Sequence, residues 1–386
     1  MNVVFLSPHF PPNFWPFSAR LREAGHTVLG VADAEYHQLQ PELRAALTEY
    51  YKVSDMHHYD ELLRALGYFT HKYGKLERLD SMSEYWLETE AMLREDFNIF
   101  GLRPADMDKV KRKSVMKEYF RKAGLRVARG KVCRDPVELQ NFVDEVGYPV
   151  VAKPDIGVGA AKTYKITDDD ELKEYIAHKP PVDYIVEEFI PGRIVTYDGL
   201  TDIKGNIVLD SSLEYSKSVM DVVNQDTDIY YYMVREIPED LRAAGQAIVR
   251  AFGVRERFFH FEFFRLEDGS LVALEVNMRP PGGLSVDMFN YANNMDIFQE
   301  YANLLTIGEV SGKAKHPFFA TYVGRKDHIH YKLSFHEVFH RYGPFIAHHE
   351  PINSIFSAAL GDYGYILRHP DLNALLEVAQ GIQERA

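Results

Sequence analysis

The hydrophobic pattern at the start of the chain alternates between short apolar runs and longer amphipathic stretches. Residues 3–6, Val-Val-Phe-Leu, form a continuous apolar run that predicts a buried strand. An amphipathic stretch that ends at Gly25 predicts a helix, and residues 27–31 predict a second strand. This alternation is typical of an α/β arrangement, in which a parallel sheet carries helices on its faces.

The turn after the first predicted strand limits what this region can bind. Residues 7–12 read Ser-Pro-His-Phe-Pro-Pro and contain no glycine. A dinucleotide-binding turn needs glycines so that the backbone can approach a pyrophosphate. We therefore predict that residues 1–104 form a domain that is Rossmann-like in architecture but does not bind a dinucleotide.

The middle of the chain combines a basic helix, several strands and a glycine-containing segment. Residues 109–124 predict a basic amphipathic helix, and residues 148–154 predict a strand with a lysine, Lys153, near its end. The segment 155–162 contains glycines and leads into another predicted strand, residues 163–167. A P-loop needs a glycine directly before its lysine and a helix after it. Here Ala161 precedes Lys162 and a strand follows, which excludes a P-loop NTPase.

The most informative pattern is a predicted antiparallel hairpin between residues 259–265 and 271–279. Asp268 and Gly269 stand between the two runs, and Asp-Gly is the strongest short-range signal for a tight hairpin. With these two as the loop residues, Glu262 lies directly opposite Glu275, and His260 lies opposite Asn277. Residues two apart share a face of a strand, so Asn277 and Arg279 lie on the same face as Glu275.

Two carboxylates that face each other across a ladder repel, and a bound cation relieves the repulsion. Glu262, Glu275 and the amide oxygen of Asn277 are hard ligands of the kind that Mg²⁺ prefers. Arg279 cannot bind a cation, but it can contact an anion that the cation holds. The alternative is that both acids lie on the solvent face of an ordinary hairpin. The apolar residues around them favour the metal site.

Residues 275–283, Glu-Val-Asn-Met-Arg-Pro-Pro-Gly-Gly, resemble the acid-x-Asn-x-Arg motif of the ATP-grasp superfamily, with Glu262 at the family's usual distance. The resemblance implies that Glu262, Glu275 and Asn277 hold Mg²⁺, or alternatively Mn²⁺, against the phosphates of ATP. It also implies that Arg279 stabilises phosphoryl transfer.

Upstream segments resemble other parts of the same family, in the same order. The resemblance implies phosphate contacts from two lysines, a glycine loop over the phosphates, and a hinge that meets adenine. The residues so implied are Lys113, Lys153, Gly157, Gly159, Glu187, Glu188 and Ile190. Lys153 joins Arg279 as an implied catalytic residue. Many members place a ribose-binding acid shortly after the hinge, where this chain has Ile194, and Asp198 is the nearest alternative.

The resemblance also implies the domain organisation. The ATP-grasp fold covers residues 105–310, with a lid at about 125–192, and the Rossmann-like domain precedes it. Residues 311–386 are predicted to form a small C-terminal lobe. The fold class is therefore α/β and α+β, in several domains.

Composition narrows the partners and the location. The formal net charge of −13 argues against a nucleic-acid partner, which requires a basic surface. The single cysteine excludes an intramolecular disulfide and favours a reducing compartment. No apolar run reaches the ~18 residues that a membrane span requires. We predict a cytoplasmic protein without a membrane or nucleic-acid partner, and its oligomeric state, including a homodimer, stays open.

The resemblance is to carboxylate–amine ligases in particular, which form an amide through an acyl phosphate and release ADP and phosphate. In related amino-acid ligases such a pair as Gly282-Gly283 lies beside the substrate, which suggests an amino-acid or peptide-like substrate; the alternative is that the glycines only form a turn. Lys217 and Glu214 are weaker candidates for substrate contact. The acceptor could instead be a thiol, or the carboxylate could be bicarbonate, as in biotin carboxylases. A non-catalytic nucleotide sensor is the remaining alternative, although retention of Arg279 argues against it.

Overall fold

The first unit of the fold is a four-stranded parallel sheet with strand order β3-β2-β1-β4. The computed structural model describes residues 1–157, 162–312 and 314–386. The strands of this sheet are β1 (Asn2–Leu6), β2 (Thr27–Ala32), β3 (Glu49–Lys52) and β4 (Arg78–Asp80). The helices around it are α1 (Trp15–Glu23), α2 (Pro41–Ala46), α3 (Tyr59–Tyr73) and α4 (Leu87–Asp96). The parallel pairing is compatible with the predicted Rossmann-like domain.

The next elements form a small antiparallel sheet of order β5-β8-β6-β7. Two helices, α5 (Met107–Lys111) and α6 (Lys113–Lys122), precede it. The remaining elements are β5 (Gly130–Val132), α7 (Pro136–Val146), β6 (Val150–Pro154), β7 (Tyr164–Ile166), α8 (Asp169–His178) and β8 (Tyr184–Glu188). The prediction of one continuous helix over 109–124 is wrong. Arg112 is extended, with φ −93° and ψ 109°, because it bridges to Ile156 instead of continuing the helix.

The third unit is a nine-stranded sheet of order β14-β13-β9-β11-β12-β15-β17-β16, with β10 also paired to β9. Its strands are β9 (Arg193–Thr201), β10 (Ile207–Ser211), β11 (Leu213–Tyr215), β12 (Tyr230–Met233), β13 (Phe258–Arg265), β14 (Leu271–Asn277), β15 (Phe319–Arg325), β16 (Ile346–Pro351) and β17 (Tyr363–His369). The predicted C-terminal lobe, residues 311–386, contributes β15, β16 and β17 to this same sheet.

Helices cover the large sheet. They are α9 (Val219–Asn224), α10 (Glu239–Phe252), α11 (Ser285–Asn293), α12 (Ile297–Ile307), α13 (Phe335–Tyr342), α14 (Ser357–Leu360) and α15 (Leu372–Gln383). Helix α10 lies close to β9 because Gly245 carries no side chain: a Cβ there would fall 1.9 Å from the ring of Tyr197. None of the helices that the structure describes is both long and apolar enough to span a membrane.

The hairpin β13–β14 confirms the predicted pairing but not the predicted loop. Glu262 pairs with Glu275 and His260 pairs with Asn277, as expected. Near the turn, however, Arg265 pairs with Leu271, so the loop has three residues, 267–269, rather than two. A register shift follows between Glu262 and Phe263 and leaves Leu274 as an extra residue on β14. This bulge compensates for the longer loop, so the two acids still face each other.

Candidate active site

The site begins where α6 meets the end of β6. The carboxylate of Asp155, which is 1% exposed, accepts hydrogen bonds from the backbone N–H of Ser114 (2.8 Å), the Ser114 hydroxyl (2.9 Å) and Arg112 Nη1 (3.1 Å). The backbone N–H of Lys113 donates to the Asp155 carbonyl at 2.8 Å. An acidic group at a helix N-terminus is favoured by the unpaired N–H groups there. Asp155 therefore fixes α6, and with it Lys113, to the strand that carries Lys153.

Lys113 connects the glycine segment to the hairpin. Its ammonium group lies 3.1 Å from Glu275 Oε1 and donates to the carbonyl of Gly157, also at 3.1 Å. The side chain is buried, with 6% of the residue exposed. Lys113, Gly157 and Glu275, which the sequence placed in one site, are thus brought together. Gly159 lies outside the described residues.

Two further lysines surround Glu187. The carboxylate of Glu187 lies 2.8 Å from Lys117 Nζ and 3.0 Å from Lys153 Nζ, and all three residues are buried. Burial raises the pKa of Glu187, but the two ammonium groups outweigh it and the pKa is lowered. Burial lowers the pKa of Lys153, whereas Glu187 and Glu275 raise it, with a net increase. Two lysines on one glutamate leave positive charge, which suits an anionic ligand.

The two hairpin acids lie beside a buried histidine. His260 contacts Asp198 Oδ1 through Nδ1 (2.6 Å) and Glu262 Oε1 through Nε2 (3.2 Å). The other oxygen of Asp198 accepts from the Thr196 hydroxyl at 2.6 Å. Burial lowers the pKa of His260, but Asp198 and Glu262 raise it to about 9. His260 is therefore charged at neutral pH and holds Glu262 in its ionised form.

The far side of the site is formed around the glycine pair. Gly283 has φ +60°, a conformation that favours glycine, and a Cβ there would fall 2.7 Å from Leu360 Cδ1. Asn13, from the turn after β1, donates through Nδ2 to the Gly283 carbonyl at 3.1 Å and to Asp287 Oδ2 at 2.9 Å. Segments from all three predicted domains thus meet at Gly283.

Comparison with known proteins identifies this arrangement. A family model described as the ATP-grasp domain matches residues 146–287, which span the glycine segment, β8 and the hairpin. The chain contains an ATP-grasp domain.

Solved structures share the fold over nearly the whole chain. An L-amino acid ligase from Bacillus licheniformis superimposes with a TM-score of 0.76 at 17% identity, covering 98% of this chain and 96% of that one. The N5-carboxyaminoimidazole synthetase from Staphylococcus aureus has a TM-score of 0.74 at 12% identity, covering 99% and 97%. At these identities the likeness concerns the fold.

The sequence match to a curated relative covers a smaller part of the chain. The carbamoyl phosphate synthase large chain, C-terminal section, of Methanopyrus kandleri is 25% identical over 122 residues. The match covers 30% of this chain and 22% of that protein, so this chain matches less than a quarter of its length.

The ATP-grasp domain offers a donor set that fits a divalent cation. Glu262 and Glu275 have side chains that are 25% and 23% exposed, and Asn277 adds an amide oxygen. Within the described ranges, no three His, Cys, Asp or Glu side chains cluster as a metal site. Two carboxylates and an amide are nevertheless the kind of incomplete shell that Mg²⁺ completes with water and phosphate oxygens.

The remaining predicted site residues differ in their contacts and in their exposure. The backbone N–H of Glu188 donates to the Arg129 carbonyl at 2.9 Å, and its side chain pairs with Arg129. Ile190 is buried at the end of this segment. Lys217 is exposed beyond β11, and Glu214 is engaged by Tyr232 and Arg193. The contacts of Glu187 are with lysines, so its role toward adenine stays a prediction.

Sequence reasoning missed three contributors to the ATP-grasp site, which are Lys117, Asp155 and His260. Lys117 lies four residues after Lys113, on the same face of α6, and this spacing was a usable signal. Asp155 gave no such signal, because its role depends on the break at Arg112, which the amphipathic pattern did not predict. Asp198, the alternative ribose ligand, has both carboxylate oxygens occupied by His260 and Thr196.

Proposed function

We propose that the chain is an ATP- and Mg²⁺-dependent, ADP-forming carboxylate–amine ligase. The observation that carries the proposal is the pairing of Glu262 with Glu275 on one hairpin, faced by Lys113. The fold likeness to an L-amino acid ligase supports the same activity. Phosphoryl transfer depends mainly on positioning and on positive charge around the phosphates, which this constellation provides.

The proposed reaction has two steps. An oxygen of the substrate carboxylate attacks the γ-phosphorus, the bond to the β-phosphate oxygen breaks, and ADP leaves. An amine then attacks the acyl carbon, loses a proton, and displaces phosphate, which retains the attacking oxygen of the carboxylate. Arg279 stabilises the negative charge that develops in both steps. A cation held by Glu262, Glu275 and Asn277 would neutralise negative charge on the β- and γ-phosphates.

Lysines and the hinge bind the nucleotide in this proposal. Lys113 and Lys153 contact the phosphates, and Lys117 maintains the charge balance around Glu187. Adenine lies against the hinge, residues 187–190, and the segment 125–192 acts as a lid. Substitution of Mg²⁺ by Mn²⁺, a cytoplasmic location and a homodimer remain predictions of the same proposal.

The substrate side of the site is proposed to lie at Gly282 and Gly283, with Lys217 as a further contact. Three tyrosine rings line up beside it: Tyr215, Tyr231 and Tyr322 stack at 4.8 and 4.9 Å between centroids. Tyr231 and Tyr322 are buried in the core, and Tyr215 is partly exposed. An amino acid or short peptide, offered as carboxylate and as amine, is the proposed substrate class, on the glycine pair and on the fold likeness to an L-amino acid ligase.

Phosphate and ADP release from MgATP tests the proposal, with amino acids offered singly and in pairs. Release that depends on a particular pair identifies the ligase and its substrates. Arg279→Ala serves as the control, and we expect turnover to fall by roughly 10²–10³ with ATP binding retained. If bicarbonate or a thiol stimulates release and no amino acid does, the amine-ligase assignment is wrong. ATP binding without any stimulated release would indicate a sensor.

A further inference from the structure

The backbone of one residue of the site is held from both sides by buried residues. Met278 lies between Asn277 and Arg279 and is 1% exposed. Its N–H donates to Glu84 Oε2 at 3.0 Å, and its carbonyl accepts from Nε of Arg257. Glu84 and Arg257 are each 7% exposed. Both backbone groups of this residue are therefore committed to charged side chains.

Arg257 is itself fixed by a buried network. Its two terminal nitrogens donate to Asp80 Oδ2 and Glu90 Oε2, each at 3.1 Å. Glu90, which is fully buried, also accepts from Arg94 Nη2 at 2.7 Å. A guanidinium with three directed hydrogen bonds has little freedom to move. The position of the Met278 carbonyl is thus determined by Asp80, at the end of β4, and by Glu90 in α4.

All the acids of this network belong to residues 1–104, whereas Met278 belongs to the hairpin. The sequence predicts that the N-terminal domain binds no dinucleotide. The contact of its acids with Arg257 and Met278 gives this domain another role. Met278 lies in the bend that follows β14, between Asn277, the last residue of that strand, and Arg279. A fixed Met278 backbone therefore restricts where the side chains of both neighbours point. Small displacements of catalytic groups can lower rates by about 10²-fold.

We propose that Glu84 and Arg257 are positioning residues, which hold the backbone N–H and carbonyl of Met278 so that Asn277 and Arg279 face the nucleotide. The catalytic consequence rests on the proposed function, whereas the hydrogen-bonded clamp does not. Residues 80–90 then position the catalytic groups and are not a separate scaffold.

Amide hydrogen exchange of the protein without ligands tests the clamp independently of activity. Glu84→Asp keeps the charge but shortens the side chain, whereas Glu84→Gln keeps the length and an acceptor oxygen. We expect exchange at the Met278 amide to rise about tenfold or more in Glu84→Asp and to stay near wild type in Glu84→Gln. Unchanged exchange in Glu84→Asp would overturn the clamp.

Steady-state kinetics on the same variants test its effect on catalysis. We expect Glu84→Asp to lower kcat about tenfold or more, with the Kd for MgATP within about twofold of wild type. Glu84→Gln should retain kcat within about threefold. If Glu84→Asp does not fold, Arg257→Lys tests the contact with the Met278 carbonyl instead. This variant keeps the positive charge but loses the planar guanidinium group that binds several acceptors at once.

Arg78→Met is the matched control, because Arg78 pairs with Glu256 across the same interface (3.0 Å) without contacting Met278. It should leave both Met278 exchange and kcat unchanged. An equal loss of kcat in Arg78→Met and Glu84→Asp would overturn the positioning role and indicate a general loss of interface stability. A wild-type protein without any ligase turnover would contradict the proposed function, and the exchange result would still decide the clamp.

Discussion

Several residues of the site form ion pairs with side chains of opposite charge, and some of these pairs are buried. Glu187 is the clearest case, because two lysines share one buried carboxylate. The motif residues of the hairpin were predictable from sequence, since alternation indicates which side chains of one strand share a face. Lys117 and His260 were not assigned roles, because their partners Glu187 and Asp198 come from distant strands.

Glu187→Gln removes the only carboxylate between Lys117 and Lys153 among their described contacts. We expect it to destabilise the protein by about 3 kcal/mol at neutral pH, because the two buried ammonium groups lose the carboxylate that they share. Glu188→Gln is the matched control, since the neighbouring Glu188 pairs with the half-exposed Arg129 and should cost less than ~1 kcal/mol. Urea unfolding measures both, and equal losses would contradict the buried-pair account.

Asp287, in the first turn of α11, predicts a pH-dependent stability. Burial raises its pKa to about 6 from an ordinary value of 3.8, so the folded state favours the protonated form. The stability contributed by this carboxyl is present below its ordinary pKa and is lost as the pH rises through 6. Asp287→Asn should therefore be more stable than wild type at pH 8, by at most about 3 kcal/mol.

The advantage of Asp287→Asn should disappear as the pH falls toward 4, because the wild-type carboxyl is then neutral as well. Chemical unfolding at pH 4, 6 and 8 measures this. Asp60, in the first turn of α3 and exposed, provides the control variant Asp60→Asn, for which no such pH-dependent gain is expected. An Asp287→Asn gain that is equal at all three pH values would contradict the burial argument.

At the scale of elements, most strands and helices around the site followed from the hydrophobic pattern. The exceptions are a helix break and a bulge, and both depend on tertiary contacts. Arg112 leaves the helix because Asp155 and Ile156 offer partners from the segment that follows β6. The extra residue Leu274 in β14 cannot be predicted from alternation, and the correct pairing of Glu262 with Glu275 arose because the longer loop offset it.

Asp155→Ala tests whether the junction of α6 and β6 positions Lys113. It removes the acceptor for Ser114 and Arg112, and we expect a loss of about 2 kcal/mol in stability. Because Lys113 then loses its fixed position, MgATP affinity should weaken by roughly tenfold. Asp371→Ala removes the N-cap of the remote α15, where the side chain accepts from Asn373 N–H, and is the control. Equal MgATP affinity in the two variants would contradict the role of Asp155.

At the scale of the whole molecule, the site lies where three regions of the sequence meet. Asn13 reaches Gly283 from the turn after β1, Glu84 reaches Met278 from the turn after β4, and Leu360 packs on Gly283 from residues 311–386. The sequence predicted these regions as successive domains, and the boundaries remain predictions. It could not predict that β15, β16 and β17 extend the hairpin's own sheet, because pairing between distant strands leaves no local signal.

The central claim is that a substrate carboxylate is activated as an acyl phosphate. The most direct test supplies amino acids labelled with ¹⁸O in the carboxylate, together with MgATP and an acceptor amine, and measures the mass of the released phosphate. Because the attacking oxygen stays on phosphorus, the account predicts that each turnover transfers one ¹⁸O from the amino acid to phosphate. Phosphate released without ¹⁸O, while an amide product accumulates, would contradict it.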